Sequence, residues 1–392
     1  SYGELDRRAD QRSADLVAAG VGRGVLVAIE PTPSPDTIVD LIGVARAGGV
    51  AMPMGLDQAG GDRMVEGDAS IVVPTSGSSG APRGVILTEG NVAASVIASQ
   101  QRLGNGPADR WLLTLPLTHV GGLSVVWRSL SAGGSIHLLA RFETGAASAA
   151  LRDRSVTMAS LVPTMLHRIL ERDSGPYSGL GAVLLGGAPA TAELVQQALF
   201  SGLPILQTYG LTETASQVAT VEPGTAIDAL GTAGPPLPGV VVSFEDGEIL
   251  VDGPTVSPGY LGEPPRDGPY RSGDLGHLDP KGRLVVTGRK GEVIITGGEN
   301  VHPAVVEAAI DRLPMAGQAV VVGIPDAEWG QAVVAVIEAA QADLPEIERI
   351  IRSRVKRHEV PRRWVPVGRL PVLANGKPDR RAARMIAETA DR

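Results

Sequence analysis

The sequence predicts an α/β protein: a large N-terminal domain, residues 1–290, with mostly parallel sheets and a β-rich subdomain at its end, and a small α+β C-terminal domain, residues 291–392. Three observations carry this. Short Val/Ile/Leu runs alternate with helix-length amphipathic stretches through the first 230 residues, which favours parallel sheets covered by helices. Between residues 231 and 290 the texture changes to β runs punctuated by Gly and Pro. Beyond 291 helices and strands mix again. At 392 residues the chain exceeds what one hydrophobic core supports, so two or more domains are expected.

In chain order, residues 5–19 have the period of an amphipathic helix and 25–29 the apolar run of a strand. Residues 71–73 form a second apolar run, followed by a Gly/Ser-rich loop at 74–84 and a helix-like segment at 92–99. Strands are expected at 112–115, 135–139, 182–185 and 205–207, with a helix at 192–200. The β-rich stretch contains runs at 239–245, 248–251 and 283–287. The final part reads as helix at 305–312, strands at 319–324 and 332–338, and helix at 344–358.

Composition excludes several classes of function. No cysteine is present, which rules out disulfides, thiolate metal sites and a cysteine nucleophile, so any thioester chemistry must take its sulfur from a partner. A net charge of -8, with four tryptophans, five tyrosines and three phenylalanines, argues against a nucleic-acid surface that stacks bases. No apolar run is long enough to span a bilayer and no basic, apolar leader opens the chain, so a soluble cytoplasmic protein without membrane insertion is expected. Composition leaves room for a homo-oligomer.

The loop at 74–84 carries the strongest chemical signal. Gly77 and Gly80 let backbone N–H groups approach an anion, Thr75, Ser76, Ser78 and Ser79 supply hydroxyl donors, and Arg83 adds a permanent two-pronged cation. A polyphosphate fits that set; a flexible linker is the alternative. The spacing lacks the Lys-Ser/Thr of a Walker loop, which sets the chain apart from ordinary P-loop NTPases. Further on, Tyr209, Gly210, Thr212 and Glu213 place a hydroxyl beside a carboxylate after a glycine, a corner suited to phosphate and a hard cation, or else an ordinary turn. Asp274 in Tyr-Arg-Ser-Gly-Asp-Leu could accept two hydrogen bonds from a vicinal diol or serve as a turn aspartate. Gly187, Ala188 and Pro189 read as a strand-to-helix turn, Arg289 as a surface cation, and Lys377 as a turn lysine in Ala-Asn-Gly-Lys-Pro-Asp.

Taken together and in this order, these motifs resemble the acyl-adenylate-forming superfamily, which includes acyl-CoA synthetases and the adenylation domains of peptide synthetases. The resemblance covers almost the whole chain, from Tyr2-Gly3-Glu4-Leu5 to the last helix-like segment. It implies two half reactions: a carboxylate attacks the α-phosphate of ATP to give an acyl adenylate and pyrophosphate, and a thiol then displaces AMP. It implies residue roles as well. The loop from Thr75 to Arg83 would cradle pyrophosphate, with Arg83 standing where the family usually has Lys. Tyr209 and the Gly187–Pro189 segment would hold adenine, Thr212 the α-phosphate, Glu213 Mg²⁺, and Asp274 and Arg289 the ribose and phosphate. Lys377 would be the adenylation lysine on a mobile C-terminal lid, residues 291–392, hinged at Gly291; Gly297 to Val301 would line the thiol's path.

The segments 115–129 and 207–217 resemble the o-succinylbenzoate–CoA ligases of menaquinone synthesis. The resemblance implies a substrate with two carboxylates, ATP and CoA as co-substrates, and Mg²⁺. Arg128 is the candidate for the unreacted carboxylate, with Ser124, Thr214, Ser216 and Gln217 as further substrate-binding candidates, and His119 as a catalytic candidate that would orient the acyl group or gate the pocket. A helix-surface arginine and a packed core histidine are the alternatives for Arg128 and His119. Two departures bear on the substrate: the stretch from Gly55 to Ile71 is short for the family, and His302 replaces its usual aromatic. Another aryl or acyl acid with a CoA or carrier-protein acceptor, and a non-catalytic AMP-binding module, remain open at this point.

Overall fold

The structure, a computed structural model, describes residues 1–54, 64–65, 67–76, 82–313, 315–373 and 378–390. The chain divides into two units. The first comprises Ser1–Gly187, Gln197–Ser243 and Leu250–Tyr270, the second Ala188–Gln196, Phe244–Ile249 and Arg271–Arg392.

Two sheets organise the first unit. One has five strands in the order Leu26–Ala28, Val50–Met52, Ala69–Ser76, Pro82–Thr88 and Gly259–Tyr260; the first three are parallel and the last two join antiparallel. The other has six, in the order Ser216–Thr220, Ile205–Leu211, Ala182–Leu185, Met158–Leu161, Arg110–Leu113 and Ser135–Leu138; all pairs but the first are parallel. The predicted parallel sheets are therefore present. Ala182–Leu185 is Ala-Val-Leu-Leu and buried along its whole length, as a parallel strand covered on both faces must be. Met158–Leu161, equally buried, has no β-branched residue and was not among the predicted strands.

Helices begin where side chains satisfy orphaned N–H groups. Thr88 and Asn91 form a reciprocal capping box at Glu89–Leu103, and Gly104 closes that helix in the left-handed conformation. Ser34 caps Pro35–Arg46, with proline at the first helical position. Helix Val120–Ala132 lies close to the chain before it, since a Cβ on Gly122 would come within 2.4 Å of the Pro116 carbonyl oxygen. Trp111, Leu113, Leu117, Leu123 and Leu184 belong to the core of this unit.

The stretch from 241 to 289 is β-rich as predicted: Val241–Glu245, Glu248–Asp252, Tyr270–Leu278 and Leu284–Arg289 form one sheet in that order. In the C-terminal part, Ala319–Asp326 and Gly330–Glu338 form an antiparallel hairpin, flanked by Ile294–Thr296 with Glu299–Val301 and by Arg363–Val367. Helices Pro303–Ile310 and Leu344–Arg354 pack Val306, Ile310, Ile347 and Ile351 on one face of that sheet. Arg380–Thr389 packs Ala383 and Ala387 with Val320, Val322, Val334 and Val336. The predicted helix at 344–358 ends at Arg354, because Val355 turns to an extended conformation.

Candidate active site

In the first unit the site is built around a tight reversal. Strands Ile205–Leu211 and Ser216–Thr220 are joined by a single 3₁₀ turn, Thr212–Thr214, and Ala215 and Ser216 take positive φ values of 50° and 102°. The strands approach so closely at Gly210 that a Cβ there would sit 1.7 Å from the Ser216 carbonyl oxygen, so glycine is obligatory. Thr214 braces the turn from inside: its buried hydroxyl accepts from the Leu211 N–H at 3.1 Å. The Ser95 hydroxyl donates to the Ala215 carbonyl at 2.6 Å and the Ser257 N–H to the Glu213 carbonyl at 2.8 Å. This bracing leaves Thr212 and Glu213 half-buried at the tip, beside Tyr209 on the preceding strand.

The Glu213 carboxylate accepts a hydrogen bond from the Tyr260 hydroxyl at 2.9 Å. Tyr270 interacts with both groups, and burial, reinforced by the Glu213 charge, holds its phenol far above the usual tyrosine range. Tyr260 is shifted the same way by its own burial. Both phenols therefore stay protonated and serve the carboxylate as donors. Arg83 lies over the Tyr260 ring, 3.4 Å from its centroid, and grips Glu263: Nε donates at 3.0 Å and Nη2 at 2.8 and 2.7 Å. The Thr75 hydroxyl donates to the Arg83 carbonyl at 3.2 Å, tying the two ends of the expected phosphate loop. Ser76 ends its strand; Gly77, Ser78, Ser79 and Gly80 lie outside the described residues, as does Lys377.

A second cluster in the same unit centres on Arg128. Its side chain is 2% exposed on helix Val120–Ala132, where a surface cation would not be. Nη2 donates to the Ser216 hydroxyl at 3.2 Å, the Trp111 ring centroid is 5.7 Å away, and Nε has no partner among the described residues. Among the described residues no carboxylate pairs with it, and burial alone pushes its pKa down to about 9. The Ser216 hydroxyl donates to Ser124 Oγ at 3.3 Å, which donates in turn to the Gly121 carbonyl at 3.0 Å. Arg128, Ser124 and Ser216 thus come together. Gln217 turns to Thr220, donating to its Oγ1 at 2.6 Å, and Thr214 is engaged by backbone. His119 occupies the N-cap of the Arg128 helix.

The second unit holds the other motif residues. Asp274 stands opposite Arg289 in the antiparallel register, with Arg289 Nε 3.5 Å from Asp274 Oδ1; the carboxylate side chain is 13% exposed and the arginine's 55%. The neighbouring Glu248, nearly buried, receives Arg271 at 2.6 Å and Lys290 at 3.2 Å, which fixes the strands that carry the pair. Gly187 ends the first segment of the first unit with φ 82°, and Ala188 and Pro189 open the second unit. Gly291 lies in the 3₁₀ turn Lys290–Glu292, with open space around a would-be Cβ.

Sequence reasoning gave no role to Tyr260, Tyr270 or Glu263. Tyr270 stood in a quoted motif without one. Tyr260 reaches Glu213 because the two-residue strand Gly259–Tyr260 pairs with Val85 and Ile86, and no local pattern announces that pairing.

Residues 57–261 match the model of the AMP-binding enzyme family, and residues 305–377 match that of the AMP-binding enzyme C-terminal domain. This chain belongs to the AMP-binding enzyme family. It is 38% identical over 340 residues to the 2-succinylbenzoate–CoA ligase of Bacillus thuringiensis subsp. konkukian (strain 97-27), covering 82% of this chain and 70% of that protein. Among solved structures, the o-succinylbenzoate CoA synthetase from Bacillus subtilis in complex with the acyl-adenylate intermediate OSB-AMP matches with a TM-score of 0.87 at 28% identity, covering 98% of this chain and 93% of that one. The same synthetase in complex with ATP and magnesium ion matches with a TM-score of 0.85 at 28% identity, covering 98% and 94%. The membership inferred from the order of the motifs is thereby borne out, and so is the α/β fold.

For an AMP-binding enzyme the donor chemistry is coherent. Among the described residues no group of three His, Asp or Glu side chains could hold a metal. Glu213 offers one hard carboxylate of the kind that suits Mg²⁺ and is the residue that would hold it.

Proposed function

We propose that the protein is an ATP-dependent acid–thiol ligase that converts o-succinylbenzoate to its CoA thioester through an acyl adenylate. Arg128 carries the substrate assignment: a buried cation whose Nε and charge find no partner among the described residues awaits an anion from outside. A substrate with two carboxylates supplies one to Arg128, with Ser124 and Ser216 beside it, and leaves the other to react. The reacting carboxylate oxygen attacks the α-phosphorus and the bond to pyrophosphate breaks. The CoA thiol, losing its proton, then forms the thioester bond as AMP leaves.

The chain's own residues orient these steps. Tyr209 faces adenine, Thr212 bonds the α-phosphate, and the loop from Thr75 to Arg83 holds the departing pyrophosphate. Asp274 and Arg289 hold the ribose, the carboxylate accepting from its hydroxyls. Mg²⁺, when bound, neutralises phosphate charge, and Glu213 is the carboxylate that would hold it. Lys377 supplies a cation to the first half reaction, on a domain that turns at Gly291 between the two. The cytoplasm, where ATP and CoA are both at hand, is the proposed place of work; among the described residues no helix is long and apolar enough to cross a membrane.

Acid-dependent exchange of labelled pyrophosphate into ATP tests the reading. Exchange with o-succinylbenzoate, little with a 4-aryl-4-oxobutanoate lacking the ring carboxyl, and thioester formation on adding CoA are expected. Equal exchange with both acids would remove the substrate assignment. No exchange with any acid would remove the enzyme itself.

A further inference from the structure

Arg83 raises a question that its expected role does not answer. The phosphate cation of this loop already has an anion, Glu263, on two of its three nitrogens. The contact is built in by the main chain. Strand Gly259–Tyr260 pairs with Pro82–Thr88, and the Leu261 N–H donates to the Gly84 carbonyl at 2.8 Å, so Glu263 is delivered beside Arg83 from 180 residues away.

The edge that Glu263 occupies, Nε and Nη2, fixes the guanidinium in its plane, and the Tyr260 ring beneath fixes the plane itself. Nη1 is left, and it makes no hydrogen bond among the described residues. A guanidinium carries five N–H donors, so it can serve one carboxylate through one edge and another oxyanion through the other. A lysine ammonium in the same place would be a single point charge for Glu263 to sequester. The arginine that departs from the family's lysine and the glutamate that grips it therefore make sense as a pair.

The same ring continues the chain of contacts. Tyr260 stacks under Arg83 and donates its hydroxyl to Glu213, so cation, ring and carboxylate form one connected unit. Resting on the reading of this loop as the ATP phosphate site, we propose that Glu263 is a positioning residue for the nucleotide: it orients Arg83 on Tyr260 so that Nη1 is presented to the polyphosphate, on the same connected unit as Glu213, the carboxylate that would hold Mg²⁺. Stability is not its purpose. The side chains of Arg83 and Glu263 are 39% and 46% exposed, and an ion pair so wetted contributes little to folding.

The test is ATP binding by calorimetry without acid, and KM for ATP and for acid, in Glu263→Gln, Arg83→Lys, the double variant and Arg83→Ala. Glu263→Gln should weaken ATP binding about tenfold, the scale of one charge-assisted hydrogen bond, while melting temperature and KM for the acid stay put. The double variant should be no worse than the worse single, because both changes break one unit. Unchanged or tighter ATP binding in Glu263→Gln would overturn the proposal, as would losses that simply add. If Arg83→Ala itself leaves ATP binding intact, the phosphate reading of the loop fails instead. Weak binding in Arg83→Ala with normal binding in Glu263→Gln sinks only the role of Glu263.

Discussion

Arg128 is held at a cost. A guanidinium 2% exposed, with no counter-anion among the described residues and its pKa pushed down to about 9, disfavours the folded state at neutral pH, where it is still charged. Its folded pKa lies below its unfolded value, so this penalty is full below about pH 9 and relaxes as pH rises beyond that toward the ordinary arginine range. Arg128→Leu should therefore raise the melting temperature at pH 7 while harming o-succinylbenzoate selectively. A loss of roughly a hundredfold in kcat/KM, about 3 kcal/mol, is the scale of an anion buried without its partner. The monocarboxylate analogue should lose little. A lower melting temperature with equal losses for both acids would make the arginine structural. At Asp274 the question is smaller: Asp274→Asn should raise KM for ATP roughly five- to 150-fold, equivalent to about 1 to 3 kcal/mol, the worth of a hydrogen bond to a charged group. Removing the 2′-hydroxyl from ATP should then matter less in the variant than in the wild type, and losses that add would detach Asp274 from that hydroxyl.

At the level of elements, helix Pro303–Ile310 carries a charge problem at its end. Asp311 is pushed up from 3.8 to about 8 by burial first and by the Glu307 charge next, with Glu193 and Glu338 adding to it, and its Oδ1 has no hydrogen-bond partner among the described residues. Glu307 itself is held by Arg380 at 2.7 Å, and Arg380 also reaches Glu292 at 3.0 Å. Because the folded pKa of Asp311 is raised, its contribution to stability is full below about pH 4 and is lost as pH rises toward 8. The melting temperature of the C-terminal part should fall across that window, and Asp311→Asn should flatten the fall; an unchanged slope would place the titration elsewhere. Elements of this kind were legible in unequal measure. Buried parallel strands such as Ala182–Leu185 announce themselves because burial on both faces demands unbroken apolar residues. Met158–Leu161 does not, being four residues with no β-branched side chain. The motif residues were found through their order along the chain, which survives without any knowledge of distance. Tyr260 and Glu263 escaped because a two-residue strand brings them to Arg83, and only long-range pairing records that.

For the whole molecule the issue is how one chain runs two different reactions. Adenylation develops negative charge on the phosphate oxygens and calls for a cation beside them, whereas thiol transfer expels AMP and has no use for the same lysine. If Lys377 serves only the first, Lys377→Ala should abolish acid-dependent pyrophosphate exchange yet largely spare thioester formation from a pre-made acyl adenylate. Equal loss in both would end the two-conformation account. The turn at Gly291 is the complementary test. A Cβ there meets nothing within 4 Å, so Gly291→Ala fits without clash and serves as the control for simple damage. Proline in its place fixes φ near -65° and restricts the residue before it, which removes the rotation a hinge needs. Gly291→Pro should therefore separate the half reactions, leaving one of them near normal and slowing overall turnover at least about tenfold, a barrier rise of roughly 1.4 kcal/mol. Gly291→Ala should lie close to wild type. Normal turnover in the proline variant would move the hinge away from Gly291, and loss of both half reactions together, with a lowered melting temperature, would mark the turn as a structural element rather than a moving one.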